Sequence, residues 1–420
     1  MDWYRPRKYL HFDQAIGEKK AFQIATNPEH VAKHAFKPFL SYEIQSKKIA
    51  KIEGQIKTKE KKRPISFAAH VDSHIYSYYC SLLTQPYESL LAKFGLGESI
   101  LAFRKLGKSN IDFAFDAFQA IKAMGECTAI GYDISGFFDH INHALLKSSW
   151  CRLLDVEHLP DDHFAVFKSL TKYSSANRAD VYKALGISTN NFPRHLKRIC
   201  TPQEFRELIR KNGLINTNQN EFGMPQGSPI SAFLSNVYML DFDLKMHQAV
   251  EEQGGRYFRY CDDMLFIIPT SFKSSLSGYV VPEIKNLKLS INVDKTEICD
   301  YKWHGDTLKT SERPLQYLGF LFDGQQVLLR SAGLARYSER MKRGVRLAKK
   351  LKIQANKKRI NKGQQPTDLY KHKLYERYSH LGRRNFIRYG LKAAHKMKSK
   401  AIRKQIKPRW GRLQVMIERK

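Results

Sequence analysis

The sequence predicts an α+β protein in which helices are combined with antiparallel β-hairpins. Three observations carry that reading. In Arg256–Ile268 (RYFRYCDDMLFII), two aromatic and apolar runs flank an acid pair, and Gly254-Gly255 precedes the first run. That is the pattern of a β-hairpin with a tight turn. Pro314–Gly324 (PLQYLGFLFDG) reads as a second hairpin. Elsewhere apolar residues recur at helical spacing, as in Ile75, Tyr78, Tyr79, Leu82 and Leu83.

Composition narrows the class. The 420 residues suffice for two or three subdomains, and 42% hydrophobic with 27% charged residues describes a globular chain. Lys and Arg number 72 against 40 Asp and Glu, a formal charge of +32. A surplus of that size implies a polyanionic partner, a nucleic acid or an anionic membrane surface. No apolar run approaches the ~20 residues that cross a bilayer. The start, MDWYRPR, has no apolar leader core, so a cytoplasmic protein without a membrane partner is expected. The six cysteines are scattered with no C-x-x-C pair, so neither a zinc site nor a disulfide framework is expected.

Taken in order, residues 1–60 read mostly as helix. Lys57–Arg63 is a basic run leading into Pro64, and a solvated charged face is its competing reading. Residues 70–106 read as helical, interrupted at Pro86 and at Gly95-Leu96-Gly97. Thr128–Asp133 is a short apolar strand ending in an acid, Ser135-Gly136 is a turn, and Phe138–Leu146 returns to helical spacing. Asp133 is therefore either a ligand at a strand end or an N-cap-like residue. Residues 143–220 read as helical and basic. Gly223, Pro225, Gly227 and Pro229 then specify a loop where backbone approaches a ligand, or a plain turn, before an apolar helix over 232–244. Leu287–Asn292 alternates like a strand. Residues 341–420 hold 27 Lys and Arg against three acids, with interleaved aromatics at helical spacing, which suits a nucleic-acid duplex.

The acid pair Asp262-Asp263 is the focus. Two carboxylates at one turn repel unless a cation sits there. Hard oxygen ligands suit Mg²⁺, which takes one or two carboxylates plus substrate phosphates. An exposed Asp-rich turn is the competing reading.

Arg63-Pro64-Ile65, Asp133–Asp139 (DISGFFD), Gly223–Pro229 (GMPQGSP), Tyr260–Asp263 (YCDD), Lys295-Thr296 and Leu318-Gly319 occur in this order. Together they resemble the blocks of reverse transcriptases, most of all the bacterial branch that includes group II intron and retron enzymes. The resemblance implies a right-hand polymerase of fingers, palm and thumb. Fingers would span 1–125 with an N-terminal helical extension. The palm would span 126–330, with a helical insertion at about 145–220, and a basic helical thumb 331–420.

It implies roles as well. Asp133 and Asp262 match the metal-binding aspartates, with Asp263 the neighbouring carboxylate and the Ile134 backbone carbonyl a further ligand. Two Mg²⁺ ions, with Mn²⁺ as a substitute, would serve in-line attack of a primer 3′ oxygen on a nucleotide α-phosphate. Phe138 matches the aromatic that clashes with a ribose 2′-OH, so the substrates are dNTPs. Gln226 and Gly227 match the loop holding nucleotide and template. Arg63, with Lys57, matches the triphosphate contact, and Lys295 the lysine that protonates pyrophosphate. Tyr317, Leu318, Gly319 and Phe320 match the primer grip. Partners would be an RNA template, a DNA or RNA primer and the RNA–DNA hybrid.

Two departures refine the resemblance. No Val-Thr-Gly follows Gly319, unlike the retron thumb, and no RNase H-like or endonuclease constellation is left over. A single-module enzyme of this kind resembles the bacterial defence-associated reverse transcriptases, with their second class as the candidate subgroup. That implies a dedicated structured noncoding RNA as template and a role against phage. Template-independent or protein-primed DNA synthesis, and a non-catalytic RNA-binding scaffold, are the alternatives.

Overall fold

The computed structural model describes residues 2–52, 55–189, 196–310 and 312–419; for 46–52, 55–59 and 61 it describes the backbone alone. Among the described residues the strands form three sheets, and the central one organises the rest. Its five strands lie in the order Arg256–Tyr260, Asp263–Ile268, Cys127–Asp133, Glu297–His304, Thr307–Thr310, every neighbouring pair antiparallel. Side chains alternate across it with period two. Ile130, Tyr132, Tyr257, Met264, Phe266 and Ile268 enter one core with the helix Ser231–Glu251. Cys127, Ala129, Phe258, Leu265 and Ile267 enter a second core with the helix Asn110–Met124 and the C-terminal helices. Because both faces are covered, the Met264–Ile268 run is apolar without interruption. The expected hairpin over 256–268 and the strand ending at Asp133 are both found.

The N-terminal region departs from expectation. Residues 1–60 were expected to be mostly helical, yet only Glu18–Ala25 and Pro28–Ala32 are. The long strands Phe39–Ile52 and Gln55–Phe67 pair as an antiparallel hairpin, Leu40 opposite Phe67 and Ile44 opposite Arg63. Lys, Glu and Gln are good helix formers, so composition misleads here; pairing along the hairpin overrides it. The segment at about 145–220, expected to be wholly helical, also contributes strands: Ser174–Asn177 runs parallel to Phe39–Ile52, and Ile215–Thr217 pairs beside it. Helix His70–Lys93 passes straight through Pro86, where an interruption was expected. Ile75, Tyr79, Leu83, Tyr87 and Leu91 form one buried stripe four residues apart. Burial of Tyr87 and Leu91 beyond the proline, about 1.5–3 kcal/mol each, offsets its cost of ~3 kcal/mol. Leu287–Asn292 is not a strand; Ile291 makes a single bridge to Ile134, and Val293–Lys295 is a 3₁₀ turn.

The third sheet, Leu315–Tyr317, Phe320–Phe322 and Val327–Leu329, contains the second expected hairpin. Its turn holds Leu318 at φ 45° and Gly319 at φ 93°, the left-handed pair a two-residue hairpin turn requires. Beyond it the 30-residue helix Ser331–Ile360 buries Leu334, Tyr337, Met341 and Val345, and shorter helices complete the region. Among the described residues no helix is long and apolar enough to cross a membrane.

Candidate active site

Asp133 and Asp263 are directly opposite one another in the antiparallel register of the central sheet. Their strands lie 130 positions apart in sequence, yet the ladder leaves both acids at the same sheet end. Asp262 occupies the two-residue turn between the hairpin strands, and its carbonyl accepts the Ile134 N–H at 3.2 Å. The preceding Cys261 has φ 61°, a left-handed conformation costly for a side chain with a Cβ.

A buried polar network holds this turn. Arg259 is fully enclosed; its Nε and Nη2 donate to the two Asp243 carboxylate oxygens at 2.6 and 2.5 Å. Its Nη1 donates to the Asn236 Oδ1 and to the Cys261 carbonyl, both at 3.1 Å. The Tyr257 hydroxyl donates to Asp243 at 2.8 Å, and Asn236 donates to the Ala102 carbonyl. Asp243 and Asn236 belong to helix Ser231–Glu251, so a guanidinium links the strained turn to the helix behind the 223–229 loop. Sequence reasoning passed over this network. Its signal was an arginine at an inward position of a strand otherwise aromatic.

The electrostatics are those of a site short of positive charge. Burial first, then the charges of Asp262 and Asp133, push the Asp263 carboxyl up to about 6, against the pull of Lys295 and Arg330. Lys295 Nζ donates to Asp133 Oδ2 at 2.5 Å. The 3₁₀ turn that brings it there is fixed by the Asn292 N–H on the Asp133 carbonyl. Among the described residues no three His, Cys, Asp or Glu side chains converge into a cluster that could hold an ion unaided. The donor set still fits hard-cation chemistry. The acids are oxygen donors whose repulsion a cation would relieve, and Mg²⁺ ordinarily completes its shell with substrate phosphates. The Tyr317 hydroxyl is buried and has no partner among the described residues; burial first, and then Asp263, push its titration upward.

The remaining expected residues fall into two groups. The 223–229 loop packs on the N-terminal hairpin: the Gln226 carbonyl accepts the Ser66 N–H at 2.7 Å, and at Gly227 (φ 113°) any Cβ would strike the Ser66 carbonyl. The Met224 N–H donates to the Phe138 carbonyl at 2.9 Å, which brings Phe138 beside the same loop. Arg63 is exposed on the hairpin three residues from Ser66, whereas the Lys57 side chain lies outside the described residues. In the third sheet Tyr317 and Phe320 are buried, 5% and 0% exposed, so their side chains do not face a cleft; Leu318 and Gly319 present the turn backbone instead. Asn110 ties this turn down by donating to the Leu318 carbonyl at 3.1 Å and to the Tyr389 hydroxyl at 2.9 Å. Arg330, one residue past that sheet, was also missed in the sequence.

Residues 175–322 match the family model described as reverse transcriptase (RNA-dependent DNA polymerase). The match covers 148 of the 420 residues. The matched span contains Gln226, Asp262, Asp263, Lys295 and the 317–320 turn; Asp133 and Phe138 lie before it. The chain resembles solved structures at low identity. The apo telomerase of Candida tropicalis truncated from its C-terminal domain is 11% identical with TM-score 0.41, over 75% of this chain and 61% of that one. Telomerase of Candida albicans in complex with a TWJ fragment of telomeric RNA is 12% identical with TM-score 0.38, over 79% and 56%. The insertion-loop deletion mutant of the RNA-dependent RNA polymerase of a human picobirnavirus is 13% identical with TM-score 0.39, over 76% and 54%. The chain thus spans about 54–61% of the length of these proteins. No curated protein matches it.

The raised Asp263 carboxyl makes a stability prediction. Its folded value, about 6, exceeds the ordinary 3.8, so the fold binds the proton more tightly than the unfolded chain does. Stability from that proton is full below the ordinary value and is lost as pH rises through about 6. In chelator-treated protein, Asp263→Asn should therefore melt at a higher temperature than the parent at about pH 8, with the difference vanishing near about pH 4. A pH-independent difference would remove the electrostatic account.

Proposed function

We propose that this chain copies an RNA template into cDNA, with Asp133, Asp262 and Asp263 as the metal-binding carboxylates. The register pairing of Asp133 with Asp263, beside the Asp262 turn, carries this reading. Divalent ions held there, two Mg²⁺ with Mn²⁺ as a substitute, would activate the primer 3′ oxygen and stabilise the departing pyrophosphate. The protein's own part is positioning. Residues 1–125 act as fingers, 126–330 as palm and 331–420 as thumb. Arg63 meets the triphosphate from the hairpin, and Gln226 and Gly227 support the nucleotide and template base. The Leu318-Gly319 backbone holds the primer end, with Tyr317 and Phe320 anchoring it from below. Lys295, paired with Asp133, is the proton donor for the departing pyrophosphate.

Phe138 selects the sugar by occupying the space a ribose 2′-OH needs. Phe138→Ala should raise ribonucleotide use relative to dNTPs by about 10–100-fold, the range set by small steric differences in a pocket. Competition incorporation assays read this directly, and unchanged discrimination rejects the gate.

The template is read as a dedicated structured noncoding RNA and the role as anti-phage defence in a bacterium, supported by the motif resemblance. Sequencing the RNA and DNA that co-purify with the chain tests both. DNA complementary to one abundant RNA is the expected result. DNA with no template match would favour template-independent or protein-primed synthesis, and bound RNA with no DNA product would favour a scaffold.

A further inference from the structure

The charge of the C-terminal region is not spread evenly. Helix Ser331–Ile360 sets Arg336, Arg340 and Arg343 on one face. Arg377, Arg383, Arg384 and Arg388 face them from the segment that follows. Between them lies a cavity of about 2170 Å³. Of the 13 arginines in residues 331–420, seven line it, against one of the 16 lysines, Lys392. Among the described residues none of the seven is within ion-pair distance of a carboxylate; the Arg388 Nε donates to the Gly382 carbonyl, at 3.1 Å. Glu376 is the one acid lining the cavity, and Glu339 lies near Arg343, so seven guanidinium groups far outnumber the negative charge around them, an electrostatic cost that a polyanion would relieve.

The lining chooses among polyanions. The volume is about twice the ~1,000 Å³ upper end of small-molecule sites, so a chain segment fits it and a free nucleotide does not fill it. A regular duplex offers phosphates that lysines meet equally well, and hides its base faces. This groove holds a single lysine, a point charge, and concentrates the planar fork that bonds phosphate bidentately and stacks on bases. It also presents the half-buried rings of Tyr378 and Phe386, with the exposed side chains of Leu347 and Leu381, 57% and 59% accessible, at its rim. Gly344 lets the Tyr378 ring lie against the helix, since a Cβ there would strike the Tyr378 hydroxyl. Rings and guanidinium planes beside phosphate forks are the chemistry that holds unstacked bases.

We propose that this groove binds an unpaired stretch of RNA, its phosphates on the arginine forks and its bases against the rings. The assignment deepens the polymerase reading above and rests on it: the strand is part of the template RNA that is not yet, or never, in the hybrid. The test uses the full chain with a fluorescent single-stranded RNA oligonucleotide, and the same strand annealed to its complement, titrated over a range of KCl. Arg340→Lys with Arg384→Lys keeps the charge and removes two forks, one from each wall. Single-strand affinity should fall by about tenfold or more, given the worth of stacked and bidentate contacts. The slope of log affinity against log salt should stay constant because the charge count does. Duplex binding should not change. Unchanged single-strand affinity overturns the proposal. An equal loss on the duplex also overturns it, and makes the groove a general phosphate cradle. Extension of a pre-annealed primer by the parent chain reports on the polymerase reading alone, so the two failures are distinguishable.

Discussion

Asp262→Ala should lower metal-dependent dNTP incorporation by about 10³-fold or more. Removing one carboxylate from a two-metal centre forfeits several kcal/mol of transition-state stabilisation, and each ~1.4 kcal/mol is tenfold in rate. Asp262 sits half-exposed in the turn, and the buried partner it leaves, the Cys261 thiol, is only a weak hydrogen-bond donor, so the fold should persist. Its contact to Ile134 is made by the backbone carbonyl, which alanine retains. Primer extension on a defined RNA template, with melting temperature measured alongside, separates lost chemistry from lost structure. Full incorporation by a folded Asp262→Ala chain would remove Asp262 from the metal site.

The largest effect on stability is expected at Arg259. Arg259→Met alone strands Asp243 in a site where both side chains are 0% exposed, and should cost about 3–5 kcal/mol in denaturant unfolding. The same change takes the donor from the Cys261 carbonyl and leaves the left-handed turn unsupported. Replacing both members, Arg259→Met with Asp243→Leu, should restore much of the stability, because a packed apolar pair often equals a buried ion pair. A cost below about 1 kcal/mol for the single variant would mean the network does not hold the turn.

What was legible in the sequence follows from the range of the interactions. The acid hairpin reads out because its cause is local: two apolar runs, a two-residue turn and a ladder closing within 13 residues. The same holds for the Leu318-Gly319 turn. The 39–67 hairpin did not read out, because its strands are rich in lysine, a good helix former, and Pro64, which opposes a helix, falls only near its end. Pro86 misled for the converse reason: its local cost is real, and distant packing of Tyr87 and Leu91 outweighs it.

The sequence by itself determined the chemistry available: an acid pair at a turn, a second acid at a strand end, a glycine-proline loop and a large positive surplus in the last 80 residues. Tertiary structure alone decided which of these meet. It brings Asp133 opposite Asp263 and packs the Gln226 loop on Ser66. It buries Tyr317 and Phe320, and gathers seven arginines around one cavity while most lysines stay outside it. The reason is physical. Residue types fix what a side chain can bond, whereas register and burial set the distances on which the energies depend: hydrogen bonds are lost beyond ~3.5 Å, and exposed charges are screened over ~10 Å.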